Sequence, residues 1–490
     1  MPPPAVAETK PPVPLCVDLD GTLIKTDLLW ESLVVLVKRQ PWFAVVVPFW
    51  LLRGRAHLKA QLAARVQLES ASLPCNREFL EFLQAEKVSG RDLYLVTASD
   101  AQPAGEVARH FGLFREVLGS NGRLNLRGRN KGACLAERFG EHGFDYAGNS
   151  SVDLPVWQRA RAAIVVNAAP GLESRARRQS EVSRVFAPER SRLKAFFRAL
   201  RPHQWVKNLI IFVPLLTSHS LTDQAKVLHA ALAFVAFCLC ASGAYVLNDL
   251  LDLEADRHHP TKRLRPFASG DLPLPVGLIA LPLLLVASVV LAWPMSPRFV
   301  AALALYVVVT TSYSLHIKRI PLLDVFFLSG LYTIRLMAGH EATGIQYSFW
   351  LLVFAIFIFL SLALVKRFIE LDAAQLRSTP DIKGRGYTTS DRGWVSAVGV
   401  ASGYAAVLVM AFYVNSVQSA TLYRHPLRLL LICPLLLYWI SRMWMIAHRG
   451  QMHQDPIVFA LRDRVSYLVG ALTLLIIWLA TNPAAFSWAG

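Results

Sequence analysis

From Gln204 onward the chain is a succession of apolar runs, and this pattern limits its fold more than any other feature. About nine runs of roughly 20 residues can be drawn, near 205–221, 226–247, 273–293, 298–315, 320–338, 347–365, 394–414, 427–447 and 466–483, each suited to crossing a bilayer as a helix. In lipid every backbone polar group needs an internal partner, so a bundle of spanning helices follows. The expectation for residues 201–485 is an all-α polytopic membrane bundle. The formal net charge is +17, and its cations sit largely between the runs. That placement suits positive-inside loops and phosphate sites rather than a nucleic-acid groove. The loops at 248–272, 316–320, 366–393 and 448–465 are rich in Lys and Arg, whereas those near 294–297 and 339–346 carry almost none. Arg424 and Arg428 depart from the pattern. The bias predicts a multi-pass protein of the inner (plasma) membrane with its N-terminal part in the cytoplasm.

Residues 1–14 are Pro-rich, lack an apolar signal-peptide core and read as a disordered leader. Residues 171–200 are basic and polar and read as a linker to the membrane part. The six cysteines have neither zinc-ribbon nor secretory spacing and read as unpaired.

At the end of the second apolar run stands Asn248-Asp249-Leu250-Leu251-Asp252-Leu253-Glu254-Ala255-Asp256. If the helix continues, Asp249, Asp252 and Asp256 fall at i, i+3 and i+7 and share one face. Three carboxylates at a membrane border need a counter-ion, and Mg²⁺ is the natural one, held by carboxylates together with substrate phosphates. Arg257, Lys262, Arg263 and Arg265 follow at once. Carboxylates for a metal beside cations for phosphate point to a diphosphate substrate.

Upstream, Leu15-Cys16-Val17-Asp18-Leu19-Asp20-Gly21-Thr22-Leu23 is a short apolar strand that delivers two aspartates into a glycine turn. It resembles motif I of the haloacid dehalogenase-like (HAD) phosphatases. Tyr94-Leu95-Val96-Thr97-Ala98-Ser99 is similar to motif II, Lys131 in Asn130-Lys131-Gly132 to motif III, and Tyr146–Asp153 to motif IV. The resemblance implies an α/β Rossmann-like domain over 15–170, with a helical cap at about 28–90. It implies Asp18 as the nucleophile on phosphorus, Asp20 as general acid/base, and Thr97 and Lys131 as further catalytic residues. It also implies a Mg²⁺ site of Asp18, Asp20, Asn149 and Asp153. Asn149 stands where the family often has Asp; an amide oxygen still binds Mg²⁺ but adds no charge. Within the cap, Val34–Leu52 is strongly apolar but broken by Lys38-Arg39-Gln40-Pro41, so it makes a poor spanning helix. Trp42, Phe43, Phe49 and Trp50 suit either a cap that touches the membrane surface or a lipid-linked substrate, or a cap packed on itself.

The Asp cluster with Lys262, Arg265, Pro266 and Gly270 after it fits the pattern NDxxDxxxD, then KxxRPxxxG. This resembles the first Asp-rich motif of the UbiA-type membrane prenyltransferases, nine-helix bundles around a central cavity. The second Asp-rich motif of that family is missing; Lys366, Arg367 and Glu370 stand in its place. With Arg201–Asn208, Tyr313-Ser314 and Lys318-Arg319, this looks like the decaprenyl-phosphate phosphoribosyltransferase branch. The resemblance implies transfer of 5-phosphoribose from phosphoribosyl diphosphate (PRPP) to a polyprenyl phosphate, with Mg²⁺ on Asp249, Asp252 and Asp256. Lys207, Asn208, Asn248, Lys262, Arg265, Lys318, Lys366, Arg367 and Glu370 are the candidate substrate contacts. Lys318 and Arg319 also fit plain positive-inside anchors. The product would keep a 5-phosphate, which the upstream phosphatase could remove. Two other readings stand beside this one: a prenyltransferase using a prenyl diphosphate and an aromatic acceptor, and a non-catalytic lipid-binding protein with a regulatory HAD module. No obligatory protein partner and no nucleic acid are expected.

Overall fold

The computed structural model describes residues 12–120, 126–376, 385–452 and 455–482. Most of the expected leader, residues 1–11, lies outside them. The chain falls into two compact units, Met1–Leu200 with Tyr245–Leu281, and Arg201–Ala244 with Pro282–Gly490.

The first unit is built on a six-stranded sheet: β1 (Leu15–Val17), β2 (Leu93–Asp100), β3 (Glu116–Ser120), β4 (Asp145–Gly148), β5 (Ala163–Val166) and β6 (Val182–Phe186). Its order is β3-β2-β1-β4-β5-β6 and every pairing is parallel. Parallel strands covered on both faces read as continuous apolar runs, and β1, β5 and the first part of β2 are fully buried. One face carries a core of Leu15, Val17, Leu95, Phe79 and Leu83; the other carries Cys16, Val96, Tyr146 and Trp157. The chain leaves β1 toward β2 and β3, then returns to β4 on the opposite side. That reversal opens a crevice beyond the carboxyl ends of β1, β2 and β4, the usual ligand position in such sheets.

Between β1 and β2 lie α1 (Leu28–Arg39), α2 (Phe43–Leu52), α3 (Arg55–Ala63) and α4 (Arg77–Val88). The first three form a cap with its own small core of Val35, Leu36, Phe43, Leu58 and Leu62. Of the stretch expected as cap, 28–90, Phe79 and Leu83 of α4 pack in the sheet core. The later helices of this unit are α5 (Ala101–Phe111), α6 (Arg129–Phe139), α7 (Leu154–Trp157), α8 (Leu172–Arg177) and α9 (Arg192–Leu200). The expected basic linker, 171–200, therefore holds α8, the edge strand β6 and α9. Its charged residues had masked an edge strand whose Phe186 is buried while Ser183 and Arg184 face outward.

Two helices cross the division between the units, α11 (Gln224–Leu251) and α13 (Leu274–Ala292), and α12 (Leu253–His258) lies between them in the chain. The second unit adds α10 (Val213–Thr217), α14 (Pro297–Leu315), α15 (Leu323–Thr343), α16 (Phe349–Leu376), α17 (Arg392–Val414), α18 (Val417–Leu422), α19 (Ile432–His448), α20 (Pro456–Ala460) and α21 (Arg464–Thr481). Among the described residues seven helices are long and apolar enough to cross a membrane, and the chain is an integral membrane protein. The two shortfalls from the expected nine have physical reasons. The run at 205–221 forms tight 3-10 turns over Pro202–Phe212 and then the five-residue α10. Pro202 and Pro214 each open one of these pieces, as suits a residue without an N–H. Helix α15 spans 21 residues, but Asp324, Arg335 and His340 lie buried along it. Ionisable groups lower its apolarity, and their burial marks one face of it as turned toward protein, while Phe326 and Met337 stay exposed.

Candidate functional site

The strand ends of the first unit bring the motif residues together. Asp18 follows β1 directly, and its backbone N–H donates to Ala147 of β4 at 2.9 Å. Gly21 then turns the chain at φ 79°, a conformation only glycine adopts cheaply, and the Asn149 side chain lies against it. Lys131, from the first turn of α6, is buried and donates to Asp18 Oδ1 at 2.7 Å, to Tyr146 Oη at 2.8 Å and to the Val96 carbonyl at 3.2 Å. Asp20 accepts from the Leu28 N–H at 2.9 Å and from Ser99 Oγ at 2.6 Å, with Thr97 Oγ1 further off at 3.4 Å. Burial pushes Asp18 up to about 7, against the pull of Lys131, and Asp20 up to about 6, with Asp27 adding and Ser99 opposing. Burial lowers Lys131, but Asp18 and Asp153 outweigh it and its affinity for the proton rises. A lysine locked on one carboxylate oxygen holds Asp18 still and favours its ionised form.

The expected residues divide here. Asp18, Asp20, Lys131, Asn149 and Asp153 line one cavity of about 710 Å³ beneath the cap. Asp153, expected as a metal ligand, is turned to structural work. Its Oδ2 accepts from the N–H groups of Asn149 (3.1 Å) and Ser150 (2.9 Å), and its Oδ1 from Tyr146 Oη (3.2 Å). It closes the capping box of the short turn Ser151–Asp153, which explains its fixed direction. Three residues escaped the sequence reading. Ser99 is closer to Asp20 than Thr97 is; Tyr146 links Lys131 to Asp153; and Lys59 of the cap reaches the Ala98 carbonyl at 2.7 Å. Two of them stand inside the quoted motifs. Lys59, beside Leu58 on a cap helix, had no signal of its own.

The second carboxylate group also lies in the first unit. Helix α11 ends at Leu251 and α12 begins at Leu253, yet Asp252 N–H still donates to Asn248 O at 2.9 Å and Asp256 N–H to Asp252 O at 2.8 Å. An i→i−4 bond is thus kept on each side of Asp252, where the backbone (φ −92°, ψ 9°) interrupts the helix, and Arg265 finds Asp249 and Asp256 together. Asp249 and Asp256 are buried, and Asp252 is half-buried. Arg265 reaches both buried carboxylates, Asp249 Oδ1 at 3.1 Å and Asp256 Oδ2 at 2.6 Å. Burial raises Asp256 and Arg265 opposes it. Arg265, expected on a substrate phosphate, is here the counter-ion of the cluster. Lys262 is exposed in the turn Lys262–Leu264, and Asn248 is half-buried on the helix. Next to the cluster, Arg257 makes a bidentate pair with Glu31 of α1, at 2.6 and 3.1 Å, and Thr26 Oγ1 adds a bond to the same carboxylate at 2.6 Å.

In the second unit Lys207 is buried and pairs with Asp455 at 2.7 Å, and Lys366 reaches the same oxygen at 3.5 Å. Burial pushes Asp455 upward, but the two lysines outweigh it and hold the carboxyl below its usual range. Asn208 accepts from Arg335 Nε at 2.8 Å, and Arg335 also donates to Tyr306 Oη at 3.0 Å. Arg367, expected to face a phosphate, is fully buried on Asp324 and Glu370. Tyr387 Oη donates to Asp324 at 2.7 Å, and Arg385 lies 3.5 Å from Glu370. A cation this deep is kept by its partners, and the pairs tie Arg367 to Asp324 and Glu370. Lys318 is half-buried in the turn Ile317–Arg319.

Among the described residues no three His, Cys, Asp or Glu side chains form a ready-made metal cage. Mg²⁺ does not require one: it keeps waters and takes one or two carboxylates plus substrate phosphates. Hard oxygen donors at Asp18 and Asn149, and an acidic cluster only partly balanced by Arg265, fit that ion.

Fold and site together define an integral membrane protein that joins an α/β domain with a parallel sheet, compatible with the HAD-like resemblance, to a helical bundle with an acidic border motif. Residues 210–465 match the UbiA prenyltransferase family. The chain belongs to that family. It is 38% identical over 463 residues to y4nM of Sinorhizobium fredii, covering 94% of this chain and 89% of that protein. It is 38% identical over 271 residues to the nodulation protein NoeC of Azorhizobium caulinodans, covering 55% of this chain and 87% of that one. It is 36% identical over 194 residues to the decaprenyl-phosphate phosphoribosyltransferase of Mycolicibacterium smegmatis, covering 38% of this chain and 60% of that protein.

Proposed function

We propose that the chain is a two-step enzyme in the cytoplasmic face of the inner membrane. In the first step a polyprenyl phosphate oxygen attacks C1 of PRPP, the C1–O bond to diphosphate breaks, and diphosphate leaves. The acceptor is already anionic, so no general base is needed and catalysis is mainly positioning and charge stabilisation. Asp249, Asp252 and Asp256 would hold Mg²⁺, which when bound would neutralise the leaving diphosphate. Arg265 balances the carboxylates and is positioned to meet phosphate when they take another cation. Lys207, Lys366 and Lys318 are the proposed contacts to the remaining phosphates, with Asn208, Asn248 and Lys262 around them.

In the second step Asp18 attacks the phosphorus of the ribose 5-phosphate. Asp20 protonates the departing ribose oxygen, then takes a proton from the water that hydrolyses the phospho-aspartate. Lys131 holds Asp18 ionised, and Ser99 and Thr97 orient Asp20. Asp18 and Asn149 would hold Mg²⁺, with Asp20 beside them. The products are inorganic phosphate and polyprenyl-phosphoryl ribose.

The observation that carries the choice of donor is the Lys207–Asp455–Lys366 group. A second carboxylate cluster for a prenyl diphosphate would be expected at the end of α16. Instead the acids there, Glu370 and Asp372, are each tied to arginine, and two lysines converge on Asp455. The similarity to a decaprenyl-phosphate phosphoribosyltransferase supports the same reading. The test is incorporation of label from PRPP into polyprenyl phosphate by membranes containing the chain. Asp252→Ala should abolish it. Labelling of lipid from a prenyl diphosphate and an aromatic acid instead would overturn the assignment.

A further inference from the structure

Helix α2 reads FAVVVPFWLL and is apolar on every side. Only part of it is covered. Phe43 is buried, and Val46, Val47 and Trp50 pack on the cap core. Trp42, Val45, Phe49 and Leu52 are 59, 70, 62 and 84% exposed. These four follow one another at steps of three, four and three, so they form a single stripe along the helix. A continuous exposed stripe of this kind marks a docking face rather than scattered surface residues.

Three observations say what covers it. First, ten residues make a helix of about 15 Å, half of what a bilayer core requires, so α2 is suited to lie in the interface and not to span it. Second, exposed cations stand at both ends, Arg39 just before the helix and Arg53 just after it, as anionic head groups would require. Third, α1, which leads into α2, is fastened to residues that directly follow the spanning helix α11. Glu31 is paired with Arg257, and Lys38 lies 3.7 Å from Glu254. The cap is thereby held beside the end of a membrane span. A different part of α2 serves the phosphatase: Val47 and Leu51 line the cavity that contains Asp18, Asp20 and Lys131.

We infer that α2 lies in the head-group layer of the bilayer and that the phosphatase cavity takes its phosphate monoester from a lipid head group at that surface. The identity of that lipid rests on the proposed function; the docking does not. The cap then acts as a selector, favouring membrane-borne monoesters over soluble ones.

The full-length chain in nanodiscs of phosphatidylcholine and phosphatidylglycerol, with a trace of diazirine-bearing phosphatidylcholine, tests this. Irradiation should label the peptide containing residues 42–52, and the double variant Val45→Glu/Phe49→Glu should lose at least about fivefold of that label. The same variant should hydrolyse the lipid-borne monoester about tenfold more slowly, with p-nitrophenyl phosphate hydrolysis unchanged. Phe49→Leu should behave as wild type. Absence of label in 42–52, or equal loss on lipid and soluble substrates, overturns the inference. Label in 42–52 from a chain that never transfers phosphoribose leaves the docking standing and removes the proposed function instead.

Discussion

The two carboxylate sites of the first unit solve the same problem differently. At the strand ends, one lysine stands behind one aspartate: Lys131 is buried and fixed by Asp18, Tyr146 and the Val96 carbonyl together. At the helix end, one arginine straddles two aspartates seven residues apart, and its side chain is 22% exposed. The first arrangement is preorganised by the sheet and needs nothing to move. The second is a balance of charge that an incoming metal and diphosphate can re-partition. Rigid strand ends suit a covalent nucleophile. A helix terminus with an adjustable counter-ion suits a substrate that brings its own charge.

The largest effect should come from the proposed nucleophile, Asp18. Asp18→Asn is expected to lower phosphate release from a monoester by at least about 10³-fold, with phosphoribosyl transfer retained. Next, Asp252→Ala should lower transfer by about 10²–10³-fold while leaving p-nitrophenyl phosphate hydrolysis intact, as measured on the same membranes. If either variant damaged both activities equally, the separation of the two sites would be wrong. Arg265→Met sharpens the contrast in charge. It takes the arginine away from two buried carboxylates and should cost about 3 kcal/mol in stability by denaturant unfolding in detergent. Added Mg²⁺ should recover more of that loss than it adds to wild type, because the ion binds the folded cluster. Asn149→Asp should act only on the first site, tightening Mg²⁺ by roughly tenfold in a titration of phosphatase activity. The smallest effect belongs to the exposed pair Arg115–Asp92, whose loss in Arg115→Ala should leave the denaturant midpoint unchanged.

Much of this was legible in the chain. The strand–Asp–x–Asp–Gly turn, the motif lysine and the i, i+3, i+7 aspartates are local patterns; Asp18 does follow a strand, and Asp249 and Asp256 lie on helices that meet at Asp252. Seven apolar runs became long apolar helices for the same reason. What escaped depends on distant pairing. Asp455 meets Lys207 across 248 residues, and Glu31 meets Arg257 across 226, and nothing in either neighbourhood announces the other. Edge strand β6 was hidden by charge, because an edge strand need bury only part of one face. The 3-10 entry at Pro202–Phe212 leads into an apolar run, so hydropathy alone does not separate it from a spanning helix. The protein partners of Arg367 and Asp153 were equally hidden: both sit in motifs that resemble ligand sites, and both are buried and engaged by protein neighbours.

The most direct test of the two-step account is the mass of the lipid product formed from PRPP and polyprenyl phosphate by wild type and by Asp18→Asn. Wild type should give polyprenyl-phosphoryl ribose without the 5-phosphate, and Asp18→Asn should accumulate the same lipid with it. A wild-type product that keeps its 5-phosphate, or an identical product from both chains, would contradict the account.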